Sequence, residues 1–84
     1  MKVHTLNSHF NLYEFHFYID QSDENTLISV LDLLIESDDL DLIKDSFTNI
    51  FTIETDNQTY VFSNYDLSEY YTVGDGLIKV TCVK

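Results

Sequence analysis

The sequence predicts a single α+β domain over residues 1–84, an antiparallel β-sheet of about five or six short strands with one or two helices, about 23–46, packed on one face. Three observations carry this. FNLYEFHFYI alternates with period two, the stretch after Ser22 changes to helical spacing, and alternation returns from Thr48 onward. Eighty-four residues leave room for one core. A 44% hydrophobic content with six Phe and six Tyr fills it, which also sets the chain apart from acidic disordered segments.

The elements follow in order. KVHTL reads as a short edge strand and Asn7-Ser8 as a turn. In the next strand Tyr13, Phe15, Phe17 and Ile19 point one way, Glu14 and His16 the other. Ser22 then caps a helix with Asp23 and Glu24 in its first turn, where the dipole favours acids. Leu27, Ile28, Leu31, Leu34 and Ile35 form its apolar stripe, widened by Val30 and Leu33. ESDD ends that helix and caps a second, with Leu40, Ile43 and Phe47 on one face; a single bent helix is the competing arrangement. A four-strand meander closes the chain: NIFTIET, a turn at Asp56-Asn57, QTYVFS, the connection NYDLS, then EYYTV and LIKVTCV around the hairpin turn GDG. The core should include Phe15, Phe17, Leu31, Leu34, Phe51 and Val80.

No basic-then-apolar leader opens the chain, and the longest apolar run, VLDLLI, is interrupted by Asp32, so the sequence predicts neither a signal peptide nor a membrane span. Cys82 is the only cysteine and reads as a small buried hydrophobe, in keeping with a reducing, cytoplasmic setting. Four Lys, no Arg and fifteen acids give a formal charge of −11. Such a surface repels nucleic acid and anionic lipid and attracts basic proteins. The missing Arg also removes the usual bidentate phosphate ligand, which excludes direct nucleic-acid binding.

Candidate binding residues lie in two stretches. In the predicted helix Asn25, Ser29, Asp32, Glu36 and Asp39 follow at steps of four, three, four and three, and so share a face. On an unbroken helix the last three would stand roughly 6 and 4.5 Å apart along the axis, a spacing comparable to that of nucleic-acid phosphates. A solvated helix face is the plain alternative. Against it, nine acids between Asp20 and Asp45 are opposed by Lys44 alone, whereas exposed helices gain from alternating charges. ESDDLDLIKD adds Asp38, Asp41 and Asp45 to this group. The second stretch, NYDLSEYY, sets Asp66 and Glu69 beside Tyr70 and Tyr71, which must face opposite ways in a strand, so that one is exposed for a partner or packed on its sheet neighbour.

Other chemistry finds little support. Asp38, Asp39, Asp41 and Asp45 lack the glycine and terminal glutamate of an EF-hand, and His4, His9 and His16 have no zinc spacing. No catalytic motif appears. The sequence therefore predicts no enzyme, no metal and no cofactor.

Size, acidity, absence of Arg and carboxylate-rich stretches such as ESDDLDLIKD and NYDLSEYY together resemble, in overall character, small phage-encoded anti-defence proteins: anti-CRISPR proteins and other DNA mimics. The resemblance implies an inhibitor in the host bacterial cytoplasm that occupies a nucleic-acid channel, such as a PAM-reading or guide-binding surface of a Cas effector. Immunity proteins and antitoxins against basic nucleases are similar on the same criteria. A phage or prophage structural or assembly protein is the alternative from another class. A monomer is expected, with a dimer as the alternative.

Overall fold

The computed structural model describes residues 1–23, 25–48 and 50–84, without the side chains of Ser22 and Asp23. In chain order the elements are β1 (Lys2–His4), β2 (His9–Asp23), β3 (Thr26–Glu36), α1 (Leu40–Ser46), β4 (Ile50–Glu54), β5 (Thr59–Ser63), β6 (Asp66–Gly74) and β7 (Leu77–Val83). The strands make one sheet in the order β5-β4-β1-β2-β3-β7-β6, antiparallel throughout.

The β2–β3 hairpin is the spine, with Phe15 opposite Leu33 and Phe17 opposite Leu31. On one side β7 sets Cys82, Val80 and Ile78 opposite Leu31, Leu33 and Ile35. On the other, Val3 of β1 lies between Phe10 and Ile53. Directly opposed residues share a face. These side chains therefore line one side of the sheet, and all but Phe15 and Phe17 are buried.

Connectivity forces the sheet to roll. Six inter-strand steps of about 4.8 Å would place β5 and β6 about 29 Å apart in a flat sheet. Yet Ser63 and Asp66 are separated by only Asn64 and Tyr65, a reach of at most about 11 Å. The sheet curls until its edges meet at that corner, where Asn64 takes a left-handed φ of 63°. Register shifts at Tyr13, Ser68 and Val73 supply bulges that add twist. Tyr65 closes the gap from the β6 side, with its ring 5.6 Å from Phe62 and 6.4 Å from Phe51. Phe15, in the middle of the sheet, reaches Tyr60 on the far edge strand at 5.9 Å.

Helix α1 lies against β6 and sends Ile43 into the enclosed core, followed by Phe47 just past its end. Its start follows the sequence reading: the Asp39 side chain accepts from the Leu42 N–H at 3.0 Å. Two hairpin turns are built alike. The Thr5 N–H donates to the Ser8 carbonyl at 2.8 Å and the Thr55 N–H to the Gln58 carbonyl at 2.9 Å. In both turns the threonine hydroxyl accepts from the N–H three residues on.

The α+β expectation is overturned, because the described residues form seven strands and a single seven-residue helix, a nearly all-β fold. The error lies in the longer predicted helix, whose stripe is strand β3. TLISVLDLLIE carries apolar residues at both parities, so it lacks strict alternation, and its near-continuous apolar run fits a helix stripe as well as a strand buried on both faces. Flanked by β2 and β7, the segment is a central strand, and Thr26, Ile28, Val30 and Ile35 suit one. Ser22 and Asp23, read as the helix start, belong to the end of β2, while Glu24 lies outside the described residues. Asn49, the first residue of the predicted strand NIFTIET, also lies outside them.

The meander is corrected too, since β5 and β6 sit at opposite edges rather than side by side. Of the predicted core, Leu31, Phe51 and Val80 are buried and Phe15 is half-buried. Phe17 is exposed on the spine beyond the enclosed part, and Leu34 is half-buried on the opposite face of the sheet.

Candidate functional site: an acidic sheet face

The outer face of β2, β3, β7 and β6 is a grid fixed by register. One row runs Tyr18, Val30, Val83, Asp66; the next His16, Asp32, Thr81, Glu69; the third Glu14, Leu34, Lys79, Tyr71; the fourth Asn11, Glu36, Leu77, Gly74. Asp20 follows Tyr18 by two residues and lies on the same side. Glu14, Asp20, Asp32, Glu36, Asp66 and Glu69 therefore share one surface, and Lys79 is the only Lys or Arg in these four strands. Among the described residues no lysine stands within 4.0 Å of a carboxylate, and the two ion pairs are His4–Glu54 at 3.4 Å and His16–Glu14 at 3.9 Å. Among the described residues the carboxylates of this face outnumber its one lysine and make no close pair with it.

Asp32 is its most firmly held carboxylate. Half-buried at the centre of the grid, it accepts a hydrogen bond from the Thr81 hydroxyl at 2.8 Å. Tyr18 stands diagonally across the β2–β3 pair from it, near enough for its charge to act on the phenol. Partial loss of water, then the charges of Asp32 and Asp20, raise the Tyr18 pKa above its ordinary value and keep the phenol protonated. Beside Asp32 a shallow cleft of about 260 Å³ is lined by Glu14, His16, Leu34, Val73 and Lys79. Its lining sets apolar Leu34 and Val73 beside the carboxylates of Glu14 and Asp32 and the ammonium of Lys79.

The sequence-predicted residues divide between two sides of the sheet. Asp32, Glu36, Asp66, Glu69 and Tyr71 come together on the outer face. Asp38, Asp39, Asp41 and Asp45 instead surround α1, which packs on the inner side. Asp39 caps that helix and Asp41 stands in its first turn, so both have structural work there. Tyr70, opposite Val80, packs against the core, whereas Tyr71, opposite Lys79, is exposed. The row Asn25, Ser29, Asp32, Glu36, Asp39 dissolves with the helix that defined it; Asn25 precedes β3 and Asp39 follows it. Glu14, Asp20, Tyr18, Lys79 and Thr81 also stand on this face and fall outside the sequence-predicted set. The signal that finds them is period-two alternation, which placed Glu14 with His16 and extends to Tyr18 and Asp20.

Cys82 lies on the inner side, and burial, followed by the charges of Asp32 and Asp66, pushes its thiol up to about 12. That is the environment of an inert thiol. Among the described residues no group of three or more His, Cys, Asp or Glu is arranged to hold a metal ion. No helix among them is long and apolar enough to cross a membrane. Comparison with protein-family models, curated proteins and solved structures finds no match to this chain.

Proposed function

We propose that this protein is an inhibitor that binds a basic nucleic-acid-binding protein through the outer face of β2, β3, β7 and β6, its carboxylates standing in for phosphates. The observation that carries the reading is the six-carboxylate face, with one lysine and, among the described residues, no lysine–carboxylate pair within 4.0 Å. The carboxylates are spaced by the sheet and not along a helix axis. Asp32 and Glu69 stand two strands apart, about 10 Å, while Asp66 and Glu69 flank positions of β7 separated by about 7 Å. The mimic is thus a charged plane rather than a single row. Carboxylates fixed on a sheet lose little entropy on meeting Lys and Arg, and their joint field speeds encounter with a basic partner. A Cas effector is the first class of target, in line with the anti-defence resemblance, and a basic nuclease the second.

The test is displacement of a labelled DNA duplex or guide RNA from a panel of Cas effectors and basic nucleases. Salt-sensitive displacement from one member is expected. Displacement from a nuclease alone makes the protein an immunity protein or antitoxin, and displacement from none sinks the proposal. Among the described residues the outer edges of β5 and β6 have no strand partner, which favours a second reading, a phage or prophage assembly protein that adds neighbours by strand pairing. Discrete oligomers at high concentration distinguish it.

A further inference from the structure

The spine hairpin outruns the sheet. Pairing of β3 with β7 begins at Val30, and two backbone bonds between Ser29 and Lys84 mark its limit. On the other side, β1 reaches β2 no farther along than Asn11. Between Ile19 and Ile28 the described residues therefore form a two-stranded arm, with Ile19 opposite Ser29 and Asp20 opposite Ile28. A free hairpin of this kind gains little stability by itself.

Alternation puts Phe17, Ile19 and Leu27 on the arm face continuous with the buried core, where Phe17 opposes Leu31. These side chains are not covered, being 51%, 53% and 67% exposed. An apolar strip running out of a core onto a projecting arm marks a contact surface. Its charge defines the occupant. No Lys or Arg occurs between Val3 and Ile43, and Asp20 lies on the reverse side of the same ribbon. A second copy of a chain with charge −11 would bring like charges together.

We infer that the arm docks its Phe17–Ile19–Leu27 strip into an apolar cleft rimmed by Lys or Arg on the basic partner that the acidic face engages. This rests on the functional reading above and adds a salt-resistant anchor to a salt-sensitive surface.

Two peptide probes with equal numbers of lysines separate the two parts: oligolysine, and an alternating lysine–leucine peptide. At high salt the protein should bind the lysine–leucine peptide about tenfold or more tightly than oligolysine. Combining Phe17→Ser, Ile19→Ser and Leu27→Ser should abolish that preference and leave low-salt oligolysine binding unchanged. Val61→Ser, at an exposed apolar residue on β5, should preserve the preference. If the triple variant does not fold, Leu27→Ser alone should reduce the preference. Equal binding of the two probes, a preference that survives loss of the strip, or an arm-dependent dimer would each overturn the inference. Failure of the acidic-face reading shows separately, as oligolysine binding that Asp66→Asn with Glu69→Gln leaves unchanged.

Discussion

Thr81 donates its hydroxyl to the carboxylate of Asp32 at 2.8 Å across the β3–β7 pair, joining the most central charge of the outer face to the neighbouring strand. Thr81→Val keeps the shape and removes the donor, so it should destabilise by about 1 kcal/mol in chemical denaturation. Thr81→Ser should restore most of the loss. No loss in the valine variant would mean that solvent satisfies Asp32 equally well.

Tyr18 reports on the same carboxylate. Its raised pKa means that its contribution to stability is present below the ordinary tyrosine range and is lost as pH rises through the folded-state value. In an ultraviolet titration Tyr18→Phe should remove a late-ionising phenol. Asp32→Asn should move that phenol to lower pH, and an unmoved titration would contradict the influence of the Asp32 charge on it.

Leu27 and Leu31 separate strand from helix. Both belong to the apolar stripe of a helix, but in β3 Leu31 is fully buried and Leu27 is 67% exposed. Leu31→Ala should cost about 2–5 kcal/mol and Leu27→Ala less than about 0.5 kcal/mol. Comparable large losses at both would restore the helix.

How much of this the sequence discloses differs by segment. β2 is legible because polar Glu14 and His16 alternate with Phe15 and Phe17. Helix α1 is legible because Asp39 caps it and Ile43 and Phe47 share its inner face. β3 is not, because Val30 and Leu34 fill the parity that polar residues would occupy in a half-exposed strand. The outer face inherits that ambiguity. Asp32 shares a row with Thr81 and Glu69 only through pairings among β3, β7 and β6, which no local pattern encodes. The separation of β5 from β6 is equally non-local, because Asn64 and Tyr65 look like any short connection until the sheet rolls.

Cys82 gives a pH test of the core. Below about pH 9 the thiol is protonated in both folded and unfolded chains. Above that the unfolded chain ionises while the folded thiol, pushed up to about 12, does not. Its contribution to stability should therefore fall by about 1.4 kcal/mol per pH unit between those limits. Cys82→Ala should lower stability at neutral pH but flatten this fall, and a thiol reagent at pH 8 should react with the native protein only after unfolding. Rapid native labelling would place Cys82 outside the core.

The central claim is that the outer-face carboxylates, rather than total acidity, make the binding surface. Two variants that each lose three charges decide it: Glu36→Gln, Asp66→Asn and Glu69→Gln on the sheet, against Asp38→Asn, Asp41→Asn and Asp45→Asn around α1. The measurement is displacement of labelled nucleic acid from the basic protein that the wild type inhibits, at one fixed salt concentration. The sheet variant should remain folded and lose inhibition by about tenfold or more, while the helix variant should stay near wild type. Equal losses in both, or full inhibition by the folded sheet variant, would contradict it.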